Sequence, residues 1–361
     1  MNGMMTGGGS PAARAVVGWI RLGVGSALAG LLARVVGLPA AWLVGPMLVA
    51  VVVALAWPKH PAVPRWGRIA ALAVVGGVLA ATFTPSVLPL IAANWFSISL
   101  VVGGTLVLSL ASGYVFARVT RVDGKTAALG TLPGAASGMV AMSGPLGADP
   151  RLVALMQYMR VLVVVLSAAL VARFASGGGT PPVSGQGLQT THEATLVHAT
   201  WLAYFLTALV AGIGAWAGTR LRLPAGALMG PLIFGVALEE VGLLRLAWPP
   251  GVPEVAYLVI GLYVGLLFDR ASIRRAGRLL PFVLCSTVGL VATCAGLGWA
   301  LAALTSIDGL TAYLATTPGG IDSVAIMALG SGASAPLVLA VQMLRLFAVV
   351  LVGSLVGGRS Q

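Results

Sequence analysis

The chain repeats itself at a fixed offset of 185 residues, and matched loops of the two copies carry opposite charge bias. Leu38-Pro39 recurs as Leu223-Pro224, Gly45-Pro46 as Gly230-Pro231, Asp123-Gly124 as Asp308-Gly309, and Pro133-Gly134 as Pro318-Gly319. Gln157 and Arg160 recur as Gln342 and Arg345, and no gap is needed to hold the register. A duplicated membrane unit whose charge bias flips between copies is the sequence sign of an inverted-topology repeat, an architecture used chiefly for alternating-access transport.

Composition puts such a chain in the bilayer. With 58% hydrophobic residues, 8% charged residues and 49 glycines among 361, it has too little polar surface to enclose a soluble core of this size. The net charge of +12 sits in short loops between apolar segments, not in a stripe on a folded domain, so it reads as topogenic charge and not as a nucleic-acid footprint. Cys285 and Cys294 share one apolar segment and read as small packing residues. Residues 1–14 read as a disordered N-terminus leading into a retained helix, not a cleaved signal peptide.

Apolar segments fall at about 15–33, 41–57, 67–83, 96–117, 126–146 and 152–172 in a first membrane repeat spanning 15–175. The second repeat, 195–357, gives about 196–218, 225–241, 254–268, 279–303, 311–331 and 336–357. A helix needs about 20 residues to cross and can manage with roughly 17, so the third segment of each set is short. Between the repeats, 176–194 contains an uncharged stretch, Ser176 to Thr191, rich in Gly, Pro, Ser, Thr and Gln, and reads as a flexible linker.

Counting Lys and Arg loop by loop reveals a parity problem. The loop after the second segment holds Lys59, Arg65 and Arg68, whereas its counterpart holds only Arg245. The loop after the third holds none in the first copy, against Arg270, Arg274, Arg275 and Arg278 in the second. After the fourth, the first copy has Arg118, Arg121 and Lys125 and the second has none. Twelve full crossings would put matched loops on one side, in contradiction with these biases. One segment per copy must fail to cross, leaving about ten crossings with both termini cytoplasmic and the linker outside.

The fifth segment of each copy is the one that fails. It contains Pro133-Gly134-Ala135-Ala136-Ser137 in the first copy and Pro318-Gly319-Gly320-Ile321-Asp322-Ser323 in the second. Proline removes a donor and blocks the preceding helical turn, and glycine releases the chain further, so each segment is expected to be a broken or re-entrant helix. Non-helical backbone at membrane depth is tolerated only where protein buries it or where it lines a wet cavity. Two symmetric breaks therefore suggest one central site, whose half-helix N-termini favour an anionic group and whose free carbonyls can hold a cation. A plain Pro-Gly kink in a packed helix is the competing reading.

Gln157 with Arg160, and Gln342 with Arg345, sit three residues apart and share a helix face deep in the last segment of each copy. An intramembrane arginine is costly and faces the protein interior, where it either binds an anion or clamps the carbonyls of a broken helix. Asp322 is the carboxylate of the broken segments, with Ser137 as its counterpart; it is open to a coupling role or to a plain capping role. His60, His192 and His198 are scattered, without acidic or thiolate companions at ligand spacing, and no phosphate-binding glycine loop follows a strand. No enzyme activity, metal or cofactor is expected.

The blocks running from Leu132-Pro133-Gly134 through Gly147-Ala148-Asp149 to Gln157 and Arg160, and from Thr317-Pro318-Gly319-Gly320 to Gln342 and Arg345, resemble the AbrB-type duplicated membrane protein family. The resemblance covers about 20–357. It implies little about mechanism, because members carry labels as regulators of gene expression or as ammonia monooxygenase candidates. Many first-repeat blocks of the family have Glu where this chain has Gly138.

The expectation is thus an all-α polytopic protein of the bacterial inner membrane, an inverted-topology repeat acting as a secondary transporter of a small organic solute, with an anionic one favoured by the breaks. The site residues expected are Pro133, Gly134, Ser137, Gln157, Arg160, Pro318, Gly319, Gly320, Asp322, Ser323, Gln342 and Arg345. Expected partners are the solute, H+ or Na+ as a coupling ion and the lipid bilayer; a homo-oligomer stays open, and direct nucleic-acid binding is disfavoured, because the longest cytoplasmic loops hold only about ten residues. The runner-up is a membrane-embedded regulator or sensor acting indirectly on gene expression.

Overall fold

The computed structural model describes residues 11–38, 40–57, 62–81, 89, 92–133, 139–140, 143–144, 146–175, 197–221, 223, 225–268, 270, 274 and 277–357. The linker at 176–194, with Gly134 and Ser137, lies outside them. Among the described residues the chain is all-helical. The first copy forms α1 (Pro11–Val35), α2 (Ala41–Ala56), α3 (Arg65–Ala81), α4 (Trp95–Thr120), α5 (Gly124–Thr131) and α6 (Pro150–Ala175). The second forms α7 (Val197–Arg220), α8 (Gly226–Glu240), α9 (Val252–Leu266), α10 (Leu280–Leu304), α11 (Gly309–Thr316), α12 (Ile321–Ser331) and α13 (Ala335–Gly357). Helix α1 begins at Pro11, inside the stretch read as a disordered N-terminus; proline's fixed φ suits a first helical position.

Among the described residues, α4, α6, α10 and the Trp201–Arg220 part of α7 are long and apolar enough to cross a bilayer. Helices α2, α9 and the Ala335–Val349 part of α13 are apolar but shorter. Large apolar side chains point outward along the long helices, among them Trp95 and Phe96 on α4 and Trp201, Phe205 and Trp216 on α7. A soluble monomer rarely exposes so much contiguous apolar surface, which suits a lipid-facing wall.

The two copies interlock by exchanging partners. Helix α2 packs on α9 and α3 packs on α8, so each copy's second helix lies against the other copy's third. Matched glycines make both contacts possible. A Cβ on Gly76 would strike the Leu228 carbonyl, and one on Gly261 would strike the carbonyl of Leu43, the offset equivalent of Leu228. Helices α4 and α10 pack on each other, α6 packs on α10, and α13 packs on α4, repeating the exchange in the second half of each copy. The entrances to α2 and α8 match as well. Ala40 and Ala225 both adopt left-handed backbone, with φ of 50° and 49°, and each carbonyl receives the amides of the third and fourth residues of the helix that follows.

The fifth segment of the second copy is divided as expected into α11 and α12, separated by residues 317–320. In the first copy α5 ends at Thr131, and Leu132-Pro133 leaves the helix.

Candidate functional site

Each break is built from its sequence in the same way. Asp123 caps α5, accepting from the amides of Lys125 at 3.0 Å and Thr126 at 3.2 Å; Asp308 caps α11, accepting from Thr311 at 2.8 Å. The next turn is then latched across the hairpin. The hydroxyl of Thr126 receives the Asp149 amide and that of Thr311 receives the Ser334 amide, both at 2.9 Å. Both helices run for only eight residues before Leu132 and Thr317 swing to extended backbone, with ψ of 128° and 132°. Each precedes a proline, whose ring disfavours helical backbone at the residue before it.

Ending a helix inside the protein leaves carbonyls without acceptors' usual partners, and buried backbone groups require them. Gln157 and Arg160 supply them in the first copy. The Gln157 amide donates to the carbonyls of Leu129 at 2.7 Å and Leu132 at 3.1 Å, while Arg160 Nη1 donates to Thr131 at 3.2 Å and Leu132 at 2.9 Å. In the second copy Gln342 donates to Leu314 at 3.0 Å and Thr317 at 3.1 Å, and Arg345 donates to Thr317 at 2.7 Å and Gly319 at 3.2 Å. Each arginine also donates to its own glutamine. Both guanidiniums are only 2% exposed, so their partners are carbonyls and an amide, and the break is the reason that an arginine can sit there. Both arginines thus clamp the carbonyls released at the breaks.

The breaks also meet. A cavity of about 270 Å³ is lined by Pro133 from the first break and by Gly319, Gly320, Ile321 and Ser323 from the second, with Gln342 and Arg345 beside them. Its other walls come from the start of α3, the middle of α6, the turn into α8 and the end of α9. Of the residues expected in the site, Pro133, Gly319, Gly320, Ser323, Gln342 and Arg345 line this cavity. Gln157, Arg160 and Pro318 do not: the first two are turned to the carbonyls of α5, and Pro318 shapes the backbone. Asp322 is the second residue of α12, whose N-cap is Gly320, and its side chain lies outside the described residues.

Several lining residues were not singled out by the sequence as site residues. Arg65 and Arg68 count there only as side-marking charge, yet they line the cavity, where Arg68 Nη1 donates to the Tyr263 hydroxyl at 2.6 Å and Arg68 Cζ lies 4.8 Å from the centre of the same ring. Tyr158 stands beside them, next in sequence to Gln157. The signal that could have found the arginines is their loss at the repeat offset, where Arg65 and Arg68 become Pro250 and Pro253. The described lining carries three arginines and no carboxylate.

Comparison with known proteins places these features in a family. Residues 6–358 match the AbrB family, described as "Transition state regulatory protein AbrB". The chain is 38% identical over 343 residues to "Putative regulator AbrB" of Escherichia coli (strain K12), covering 94% of this chain and 95% of that protein. It is 27% identical over 346 residues to the uncharacterized protein YhjN of Bacillus subtilis (strain 168), covering 90% and 88% of the two chains. With a match across nearly its whole length, the chain belongs to the AbrB family.

Proposed function

We propose that the protein is a secondary transporter of a small organic solute, bound in the cavity between the two breaks and carried across the inner membrane. The observation that carries this reading is the convergence of both breaks on one cavity, with a buried arginine in its wall. Broken helices meeting at a polar cavity are the way repeat-built transporters form a solute site, because the interrupted backbone supplies donors and acceptors without side chains. The reading includes an inverted-topology repeat of about ten crossings, with both termini cytoplasmic. Opposite charge bias in matched loops supports that topology, and so does the reciprocal packing of α2 with α9 and α3 with α8. Coupling to H+ or Na+ and assembly into a homo-oligomer belong to the same proposal.

The alternative is a membrane sensor that acts on gene expression indirectly, and it rests on the name of the E. coli relative. One experiment separates the two. Purified protein is screened by thermal shift against neutral, anionic and cationic organic solutes, since a ligand that binds the native state selectively stabilises it. Each stabilising compound is then loaded into proteoliposomes and its labelled form offered outside. Accumulation by exchange, absent from protein-free vesicles, is the expected result. A compound that stabilises the protein but is never exchanged would overturn transport and favour the sensor.

A further inference from the structure

We infer that the solute of this cavity is a small organic carboxylate, bound by its carboxylate group at Arg345 and the N-terminus of α12, with an apolar body between the cavity walls. This rests on the transport reading and narrows its solute.

Arg345 is not fully used by its clamp. Its Nη groups serve Thr317, Gly319 and Gln342, and its Nε, like that of Arg160, is buried without a hydrogen-bond partner; of these two side chains, each 2% exposed, Arg345 is the one that lines the cavity. A buried guanidinium N–H lacking an acceptor is costly, and a carboxylate is the acceptor whose geometry and charge fit it best. Helix α12 starts at the same place. Its N-cap, Gly320, offers no side-chain acceptor, and the first-turn amides of 321–323 have no backbone acceptor within the helix. Gly319, Gly320, Ile321 and Ser323 all line the cavity, so the positive end of an eleven-residue helix and the free guanidinium N–H serve one space.

Gly320 shows that the space matters. Its φ is −75°, open to any residue, and an added Cβ would meet only Val161 Cγ2 at 3.7 Å, an ordinary contact. The fold does not need glycine there; an unfilled cavity floor does. The neighbouring Gly319 differs, because a Cβ there would press on Val324 and Val164. At the mouth, Arg65 and Arg68 raise the local concentration of anions, and between mouth and floor the walls are Ile69, Leu72, Val161 and Val264. The volume of about 270 Å³ lies just below the roughly 300–1,000 Å³ of drug-sized ligand sites, which limits the body to a compact one.

The test uses the full chain in lipid nanodiscs and calorimetric binding of matched probes: benzoate and hexanoate, their amides, and the amines benzylamine and hexylamine. The carboxylates are expected to bind roughly tenfold or more tighter than the amides, the difference a charge-assisted hydrogen bond makes, and the amines weakest. Gly320→Ala should keep the melting temperature of the unliganded protein and weaken carboxylate binding by about tenfold, by filling the floor. Ser323→Ala provides a second variant at the same pole, with a smaller loss in the same direction. Amides or amines binding as tightly as carboxylates would overturn the carboxylate while leaving the transport reading intact. Carboxylate binding untouched in both variants would put the ligand elsewhere and overturn it too. If no probe of any charge binds, the inference falls and the cavity's transport role falls with it.

Discussion

Around Pro133 and around Pro318 the chain uses the same devices: an Asp cap, a Thr latch across the hairpin, a pre-proline residue forced out of the helix, and a Gln and Arg pair that takes up the released carbonyls. The two sites part at the arginine. Arg160 gives both its Nη1 bonds to adjacent carbonyls and faces away from the cavity, whereas Arg345 spreads its bonds over Thr317 and Gly319 and stands in the cavity wall. The difference teaches that the clamp is common to both copies, while its place at the cavity belongs to Arg345 and not to Arg160. What surrounds the second break makes the difference: arginines at the mouth, where the offset positions are Pro250 and Pro253, and Tyr263, where the offset position is Val78.

If the clamp is structural in both copies, Arg160→Leu and Arg345→Leu should be the most damaging changes and should damage the fold alike. Each orphans a backbone carbonyl, that of Thr131 or Gly319, together with the glutamine oxygen, at about 1–3 kcal/mol per buried group. Thermal melts in detergent should fall for both without any ligand present. A normal melt for Arg345→Leu beside a collapsed Arg160→Leu would break the likeness and make Arg345 a pure ligand residue.

The latches come next in size. Thr126→Val and Thr311→Val each leave one amide without its hydroxyl acceptor, for a loss of about 1–3 kcal/mol that should be equal in the two copies. Chemical unfolding of the pair measures it, and a loss confined to one copy would mean that the hairpins differ in stability despite their shared geometry. The smallest effects belong to the caps. Asp123→Ala and Asp308→Ala should each cost about 0.5–2 kcal/mol, with Asp123 the larger because it accepts from two amides and Asp308 from one. The reverse order in the same unfolding series would show that hydrogen-bond count does not rank them.

The breaks and their clamps were legible in the sequence because their causes are local. A proline restricts the residue before it, and an arginine in an apolar segment must find partners, so Pro133, Pro318, Arg160 and Arg345 announce themselves without any knowledge of the fold. The cavity was not legible to the same degree. Arg65, Arg68, Tyr158 and Tyr263 come together only through the packing of α3 on α9 and of α9 on α6, contacts between residues far apart in sequence. Counting Arg65 and Arg68 as side-marking charge hid their second position, and repeat symmetry led the sequence reading to treat Arg160 and Arg345 as equals. The inequality lay in their surroundings, which a one-dimensional register does not display.

The most direct test of the central claim, that the second break opens onto a wet cationic cavity, is thiol labelling of Ile321→Cys in a chain carrying Cys285→Ala and Cys294→Ala. Ile321 is a half-buried residue of the cavity lining. Anionic and cationic methanethiosulfonates are compared, with Ala168→Cys as the control, since Ala168 on α6 is fully buried and lies outside the cavity lining. Ile321→Cys should react, and faster with the anionic reagent, because the described lining holds arginines without a carboxylate, while Ala168→Cys should stay unlabelled. An unreactive Ile321→Cys, or one that prefers the cationic reagent, would contradict the account.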